Sequence, residues 1–252
     1  MKKADELLSG IDALDVLVLP EMIFTGIKRL SKAIHLRTKS ISYHFWKTKM
    51  GQPSNGRSRL VHNFDLAKRF NSLVQVGFPL AEGAIYYNAV CLVKPTGLWK
   101  IYRKHFLFET DESWATAGNS FESFNDDSLG KIGVGICMDL NPKAFLSPFE
   151  LFEWANFQQI SKVNIILCSM AWLYQEAPSM ETIQYWATRM TPLIKSSGSN
   201  PIYVLVANRN GREGFTFCGS SAIMVFENSS ARLLSSFGKD DQGVLIVDTL
   251  KS

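Results

Sequence analysis

The chain has 252 residues, 46% hydrophobic and 20% charged, which is enough to bury a sizeable core and excludes a disordered protein, a coiled coil or a collagen-like fibre. No apolar run approaches the roughly 20 residues of a membrane span, and the opening MKKADELLSG lacks the apolar core of a secretory signal. The formal charge of +4 hides an asymmetry: residues 28–69 hold eleven Lys or Arg and one acid, Asp65, a local charge of +10, while the sixteen basic and twenty-two acidic residues elsewhere leave −6.

In chain order, residues 2–10 form an amphipathic pattern that stops at Gly10, a helix C-terminal signal. ALDVLVLP (13–20) reads as a buried strand. The basic segment 28–64 has no clean period, and LVHNFDLAKRF (60–70) reads as a helix packed before the strand SLVQVGFPL (72–80). NAVCLVKPTG (88–97) runs through a Pro-Thr-Gly turn into LWKIYRK, a hairpin pattern. KIGVGICMDL (131–140), VNIILCSMAW (163–172) and PIYVLVANRN (201–210) are further strands, and 220–228 and 243–249 read as late antiparallel strands. Helices are predicted over 147–162, opened by Ser-Pro and acids, and over 177–197. Strands written as continuous apolar runs, alternating with helices, predict an α/β fold with strands buried on both faces, built as a single domain over 1–252.

In open α/β folds reactive groups gather at the carboxyl ends of strands. Glu21 follows the first apolar strand, Lys104 follows the hairpin, Cys137 ends IGVGI, Cys168 sits in a similar place, and Asn208 and Arg209 follow YVLVA. Cys137, just before a Pro-terminated turn, is a candidate nucleophile, with Cys168 its competitor; a small buried hydrophobe is the alternative for either. Cys91 reads as core and Cys218 as packing. Glu21 could be a buried general base or a solvent-facing loop acid. Lys104 could stabilise an oxyanion or sit on an edge strand. Strand alternation points His105 away from Lys104. The four widely spaced cysteines fit no zinc pattern, and without a signal peptide they suggest a reduced, cytoplasmic setting.

Taken in order, PEMIFTG around Glu21, YRKHFLFETDESW around Lys104 and GVGICMDLNP around Cys137 resemble the nitrilase superfamily of carbon–nitrogen hydrolases. Within it the match is closest to the fungal branch that deamidates N-terminal Asn or Gln, supported by PFELFEWANF, MAWL (170–173), TIQYWATRMTPL (182–193) and NRNGREGFTFCGSS (208–221). The resemblance implies an α-β-β-α sandwich and no metal or organic cofactor. It implies Glu21 as base, Lys104 as oxyanion-stabilising cation and Cys137 as nucleophile, with the Met138 amide completing the oxyanion site. It also implies a supporting acid after the lysine, for which Glu112 is the first choice and Glu109 the second. Asp139 is the candidate anchor for the substrate's α-amine, or else a structural acid of the superfamily, and Trp172 is a candidate pocket wall or else a core residue. The implied partners are peptide or protein N-termini beginning with Asn or Gln, rather than nucleic acid or membrane.

Two departures stand out. The segment 28–64 does not follow the family and reads as a divergent surface loop or intron-derived residues. The family's first strand is absent ahead of residues 2–10, which predicts low solubility or stability and leaves a truncated, inactive chain as one alternative. A small-molecule amidase of the same superfamily is another. The arginine such enzymes place after the nucleophile motif is replaced here by Asn141.

Overall fold

A computed structural model describes residues 6–22, 34–35 and 57–249, and most of the basic segment 28–64 lies outside them. The described strands form two main sheets. The first has the order β1 (Val16–Val18), β3 (Leu73–Glu82), β4 (Ile85–Lys94), β5 (Gly97–Arg103), and β2 (Ile34–His35) pairs β3 on the same edge as β1. The second has the order β13 (Ser230–Ser236), β12 (Ala222–Glu227), β9 (Ile202–Asn208), β8 (Ile165–Met170), β7 (Gly130–Ile136), β6 (Ser123–Asp126).

In the second sheet β7, β8 and β9 are parallel. Parallel neighbours need long crossovers, and the helices supply them. One crossover runs through α3 (Glu153–Ile160), the other through α4 (Ser179–Arg189) and α5 (Thr191–Ser196). In the first sheet β1 runs parallel to β3, with β3–β4 and β4–β5 antiparallel, so β1 and β5 point the same way.

Three apolar layers hold these elements. Val90, Leu92 and Tyr102 of the first sheet meet Ile132, Val134, Ile136 and Leu167 of the second. Phe64, Ala67 and Phe70 of α1 (Arg57–Phe70) cover the outer face of the first sheet. Trp154, Ile183, Trp186 and Leu193 cover the outer face of the second. The result is the expected α-β-β-α sandwich. Burial on both faces explains why β3 is apolar at consecutive positions rather than at alternating ones.

Several expectations are corrected. The helix expected over 147–162 is one 3-10 turn and then α3, divided at Phe152, whose φ of 42° is left-handed. The helix expected over 177–197 is two helices broken at Met190, because Pro192 starts the second and cannot continue the first. Residues 243–249 have no regular secondary structure and join no described ladder. A strand needs a partner, and beside Gly243–Leu245 lies a cavity of about 420 Å³ that also borders β1, Leu205 and Ile223. The partner of β12 is instead β13, reached through Asn228 and Ser229, both at positive φ. Glu6 and Leu7 are helical and Gly10 has a φ of 82°, in keeping with the expected end of the first helix. No helix among the described residues is long and apolar enough to cross a membrane.

Candidate active site

β1, β5 and β7 end at one small cleft, and the residues that follow them, Glu21, Lys104 and Cys137, all line it together with Asp111. Among the described residues, the larger apolar cavity beside β1 has Asp241 as its sole charged lining residue and none of this chemistry.

Glu21 is placed by backbone contacts to both sheets. Leu19 N–H donates to Gln75 O (2.9 Å) and Glu21 N–H donates to Met170 O (3.2 Å). Gln75 bonds Leu167 O and Ser169 Oγ, and Ser169 donates to Leu19 O. Gly77 is required here: a Cβ on it would fall 2.8 Å from Met22 N and 2.9 Å from Glu21 Cα.

Lys104 leaves the end of β5 into the interior, with 1% of its surface exposed. Its Nζ donates to Glu21 Oε1 (2.8 Å) and to Asp111 Oδ2 (2.8 Å). Its backbone N–H bonds Asn88 O and its O accepts from Gly118 N–H. A side chain at Gly118 would meet Arg103 O at 2.3 Å, so the close approach needs glycine. Burial alone would push the ammonium toward neutrality, but the carboxylates of Asp111 and Glu21 override it and hold Lys104 well above the ordinary lysine range.

Cys137 follows β7 with a φ of 39°, a strained conformation for a residue with a side chain. It opens a 3-10 turn, Cys137–Leu140. Of the four free cysteines it alone is partly exposed; Cys91, Cys168 and Cys218 are buried. Cys168 sits in the core under α3 and α4, so it is not a competing nucleophile. Burial and the Glu21 charge push the Cys137 thiol well up, against the pull of Lys104 and the Ala171 backbone. Burial thus favours the protonated thiol, which shares the cleft with the Glu21 carboxyl group. Glu21 Oε2 is buried and has no hydrogen-bond partner among the described residues.

Three expectations about the surrounding residues are corrected. The acid that supports Lys104 is Asp111, not Glu112 or Glu109. The short helix α2 (Glu109–Glu112) turns Asp111 inward and leaves Glu109 and Glu112 exposed. Asp139 does not offer a free carboxylate to an amine. Its Oδ1 accepts from the amides of His105 (3.2 Å) and Phe106 (2.9 Å), and its Oδ2 from Ile136 N–H (2.9 Å) and Tyr102 Oη (2.9 Å). Four donors fill a carboxylate's acceptor positions. Asp139 instead clamps the Cys137 turn to the segment that follows Lys104. Trp172 is not a wall of the cleft. Ala171 and Leu173 line it, and alternation along the extended chain turns Trp172 toward Tyr185 and Trp186. His105 is turned away as expected, its Nδ1 against Gly118 O.

Sequence reading missed Asn88, Phe108, Trp114 and Phe215. Asn88 is buried between the two carboxylates, with Nδ2 2.6 Å from Glu21 Oε1 and 3.0 Å from Asp111 Oδ1. A polar residue inside the apolar run YYNAVCLV was its available signal. Phe108, Trp114 and Phe215 line the cleft, and Trp114 Nε1 is a buried donor with no partner among the described residues. Asn141, where small-molecule relatives would carry Arg, accepts a bond from Tyr185 Oη (2.8 Å). No group of three His, Cys, Asp or Glu among the described residues is arranged to hold a metal.

A two-sheet sandwich with a buried Glu–Lys pair beside a strained, accessible cysteine defines a class of hydrolases that attack carbon–nitrogen bonds other than peptide bonds. The carbon–nitrogen hydrolase family model matches residues 1–144, and the chain belongs to that family. Among individual relatives, the chain is 34% identical to the protein N-terminal amidase of Schizosaccharomyces pombe, over 96% of this chain and 89% of that one. It is 31% identical to the protein N-terminal amidase of Saccharomyces cerevisiae, over 63% of this chain and 36% of that longer one. A crystal structure of N-terminal amidase with an Asn-Glu-Ala peptide superposes with a TM-score of 0.74 at 18% identity, covering 95% of this chain and 90% of that one. The same fold has been solved with a Gln-Val peptide.

Proposed function

We propose that this chain hydrolyses the side-chain amide of an N-terminal Asn or Gln, giving Asp or Glu and ammonia. Glu21 Oε2 takes the Cys137 proton as sulfur attacks the amide carbon. Lys104 and the Met138 amide, at the start of the 3-10 turn, stabilise the tetrahedral oxyanion. The proton on Glu21 passes to the leaving nitrogen and ammonia departs, leaving a thioester. Glu21 then draws a proton from water, which attacks the thioester carbon, and the thiol is regenerated. Neither a metal nor an organic cofactor enters any step.

The observation that carries this reading is the single Lys104 ammonium bonded to both Glu21 and Asp111, in one cleft with the accessible thiol. The choice of substrate is supported by the amidase relatives and by charge. Two carboxylates against one ammonium leave the cleft at −1, a field that favours a substrate ammonium and repels a substrate carboxylate. The setting we infer is the cytoplasm, in keeping with four unpaired cysteines.

Ammonia release from short peptides beginning with Asn, Gln or N-acetyl-Asn tests the reading. Release from the first two and not the third is expected. Equal rates on the acetylated peptide would instead indicate a small-molecule amidase with no use for a free α-amine.

A further inference from the structure

We infer that Asn88 is a positioning residue of this site, one that selects which oxygen of Glu21 receives the thiol proton. The inference rests on the mechanism above.

Asn88 lies on β4 opposite Pro79, 1% exposed. Its Nδ2 has two hydrogens and gives one to each carboxylate, Glu21 Oε1 at 2.6 Å and Asp111 Oδ1 at 3.0 Å. Lys104 Nζ makes the matching pair to Glu21 Oε1 and Asp111 Oδ2. The four side chains close a ring in which two anions alternate with two donors. The amide can sit only this way round, since a flip would set Oδ1 against two carboxylates. The backbone of the same residue holds Lys104 as well, because Asn88 O accepts the Lys104 amide at 2.8 Å. One residue therefore fixes both the lysine and the lysine's two partners.

The consequence falls on Glu21. Oε1 is saturated by two donors, whereas Oε2 is buried and has no partner among the described residues. The carboxylate cannot rotate without surrendering both bonds, so Oε2 stays the vacant acceptor. Among the described residues, the charged or titratable groups that face Glu21 are Lys104 after β5, Asp111 on α2 and Cys137 after β7, and β8 contributes the Met170 carbonyl.

The test uses Asn88→Leu, which keeps the bulk and removes both donors, and Asn88→Thr, which offers a single hydroxyl donor one bond nearer the backbone. The readout is the rate of Cys137 alkylation by iodoacetamide against pH, with the melting temperature as the check of folding. Sulfur displaces iodide and its proton goes to Glu21, with no need of an amide substrate. The other three cysteines are buried. Asn88→Leu is expected to slow alkylation about 10-fold, because a carboxylate stripped of donors no longer holds a fixed oxygen ready for the thiol proton. Asn88→Thr should fall between. In a Glu21→Gln background neither substitution should have a further effect. With an N-terminal Asn peptide, kcat should fall and KM should stay within about twofold, the pattern of an interaction used only in the transition state.

An unchanged alkylation profile in folded Asn88→Leu, or the same fractional loss with and without Glu21, would overturn the inference. If Asn88→Leu does not fold, the Asn88→Thr cycle decides on the same criteria. A wild-type protein that alkylates as described but releases no ammonia from Asn or Gln peptides would refute the proposed substrate and leave the role of Asn88 standing.

Discussion

Replacing Asp111 by Asn separates the observed supporting acid from the one expected at Glu112. Asp111 is buried and accepts from Lys104 Nζ, Phe108 N–H and Asn88 Nδ2. An Asn oxygen could keep the first two bonds, but its NH₂ would face the Asn88 donor, and the charge opposite Lys104 would be halved. Breaking an isolated buried ion pair costs about 3–5 kcal/mol. Here Lys104 keeps Glu21 as a full counter-ion, so the loss is nearer the value of a charged hydrogen bond, about 2–3 kcal/mol. In a chain of this size that corresponds to a drop of about 4–12 °C in melting temperature. Turnover should fall about 100-fold, because Lys104 loses one of its two anchors and oxyanion stabilisation depends on where the ammonium sits. Glu112→Gln removes an exposed charge and should change stability by less than about 0.5 kcal/mol, with normal ammonia release. Thermal melts and peptide assays on the two variants are sufficient. A crippled Glu112→Gln beside a normal Asp111→Asn would refute the assignment of Asp111.

Cys137→Ala should abolish ammonia release, whereas Cys168→Ala should retain it with a modest loss of stability from the core; the opposite result would place the reactive thiol on β8. Phe215→Ala should raise KM for an Asn peptide several-fold and Trp172→Phe should leave it near normal, since only the former lines the cleft; an equal rise in both would return Trp172 to the pocket. Burial pushes the Asp139 carboxyl up to about 6 from 3.8, against the Phe106 and Ile136 amides, Lys104 and Tyr102. The folded state thus holds this proton more tightly than the unfolded chain, so the group's contribution to stability is greatest below pH 4 and declines as pH rises to about 6. The difference in melting temperature between wild type and Asp139→Asn should move against the wild type as pH rises across that window, and a difference that stays constant would refute the shift.

The sequence alone determined the alternation of apolar strands and helices, and it named Glu21, Lys104 and Cys137 as candidates, which the fold brings to one cleft. The alternation is written locally, whereas each of the three residues had a bland local alternative and stood out only through the order of the three motifs that carry them. Tertiary structure decided the rest. Asp111 and Glu112 are adjacent acids of similar chemistry, and only the turn of α2 against Lys104 makes one of them part of the site. Asp139 looked available for a substrate because three of its four partners, Tyr102, His105 and Phe106, lie more than thirty residues away. Trp172 differs from Ala171 and Leu173 only in which way an extended segment faces. The strand expected at 243–249 failed because pairing belongs to two segments at once, and no described strand runs beside it. Asn88 shows the same limit most plainly: a polar residue in an apolar strand announces a buried partner, but that its partners are two carboxylates sharing one lysine is known only when β1, β4, β5 and α2 have been brought together.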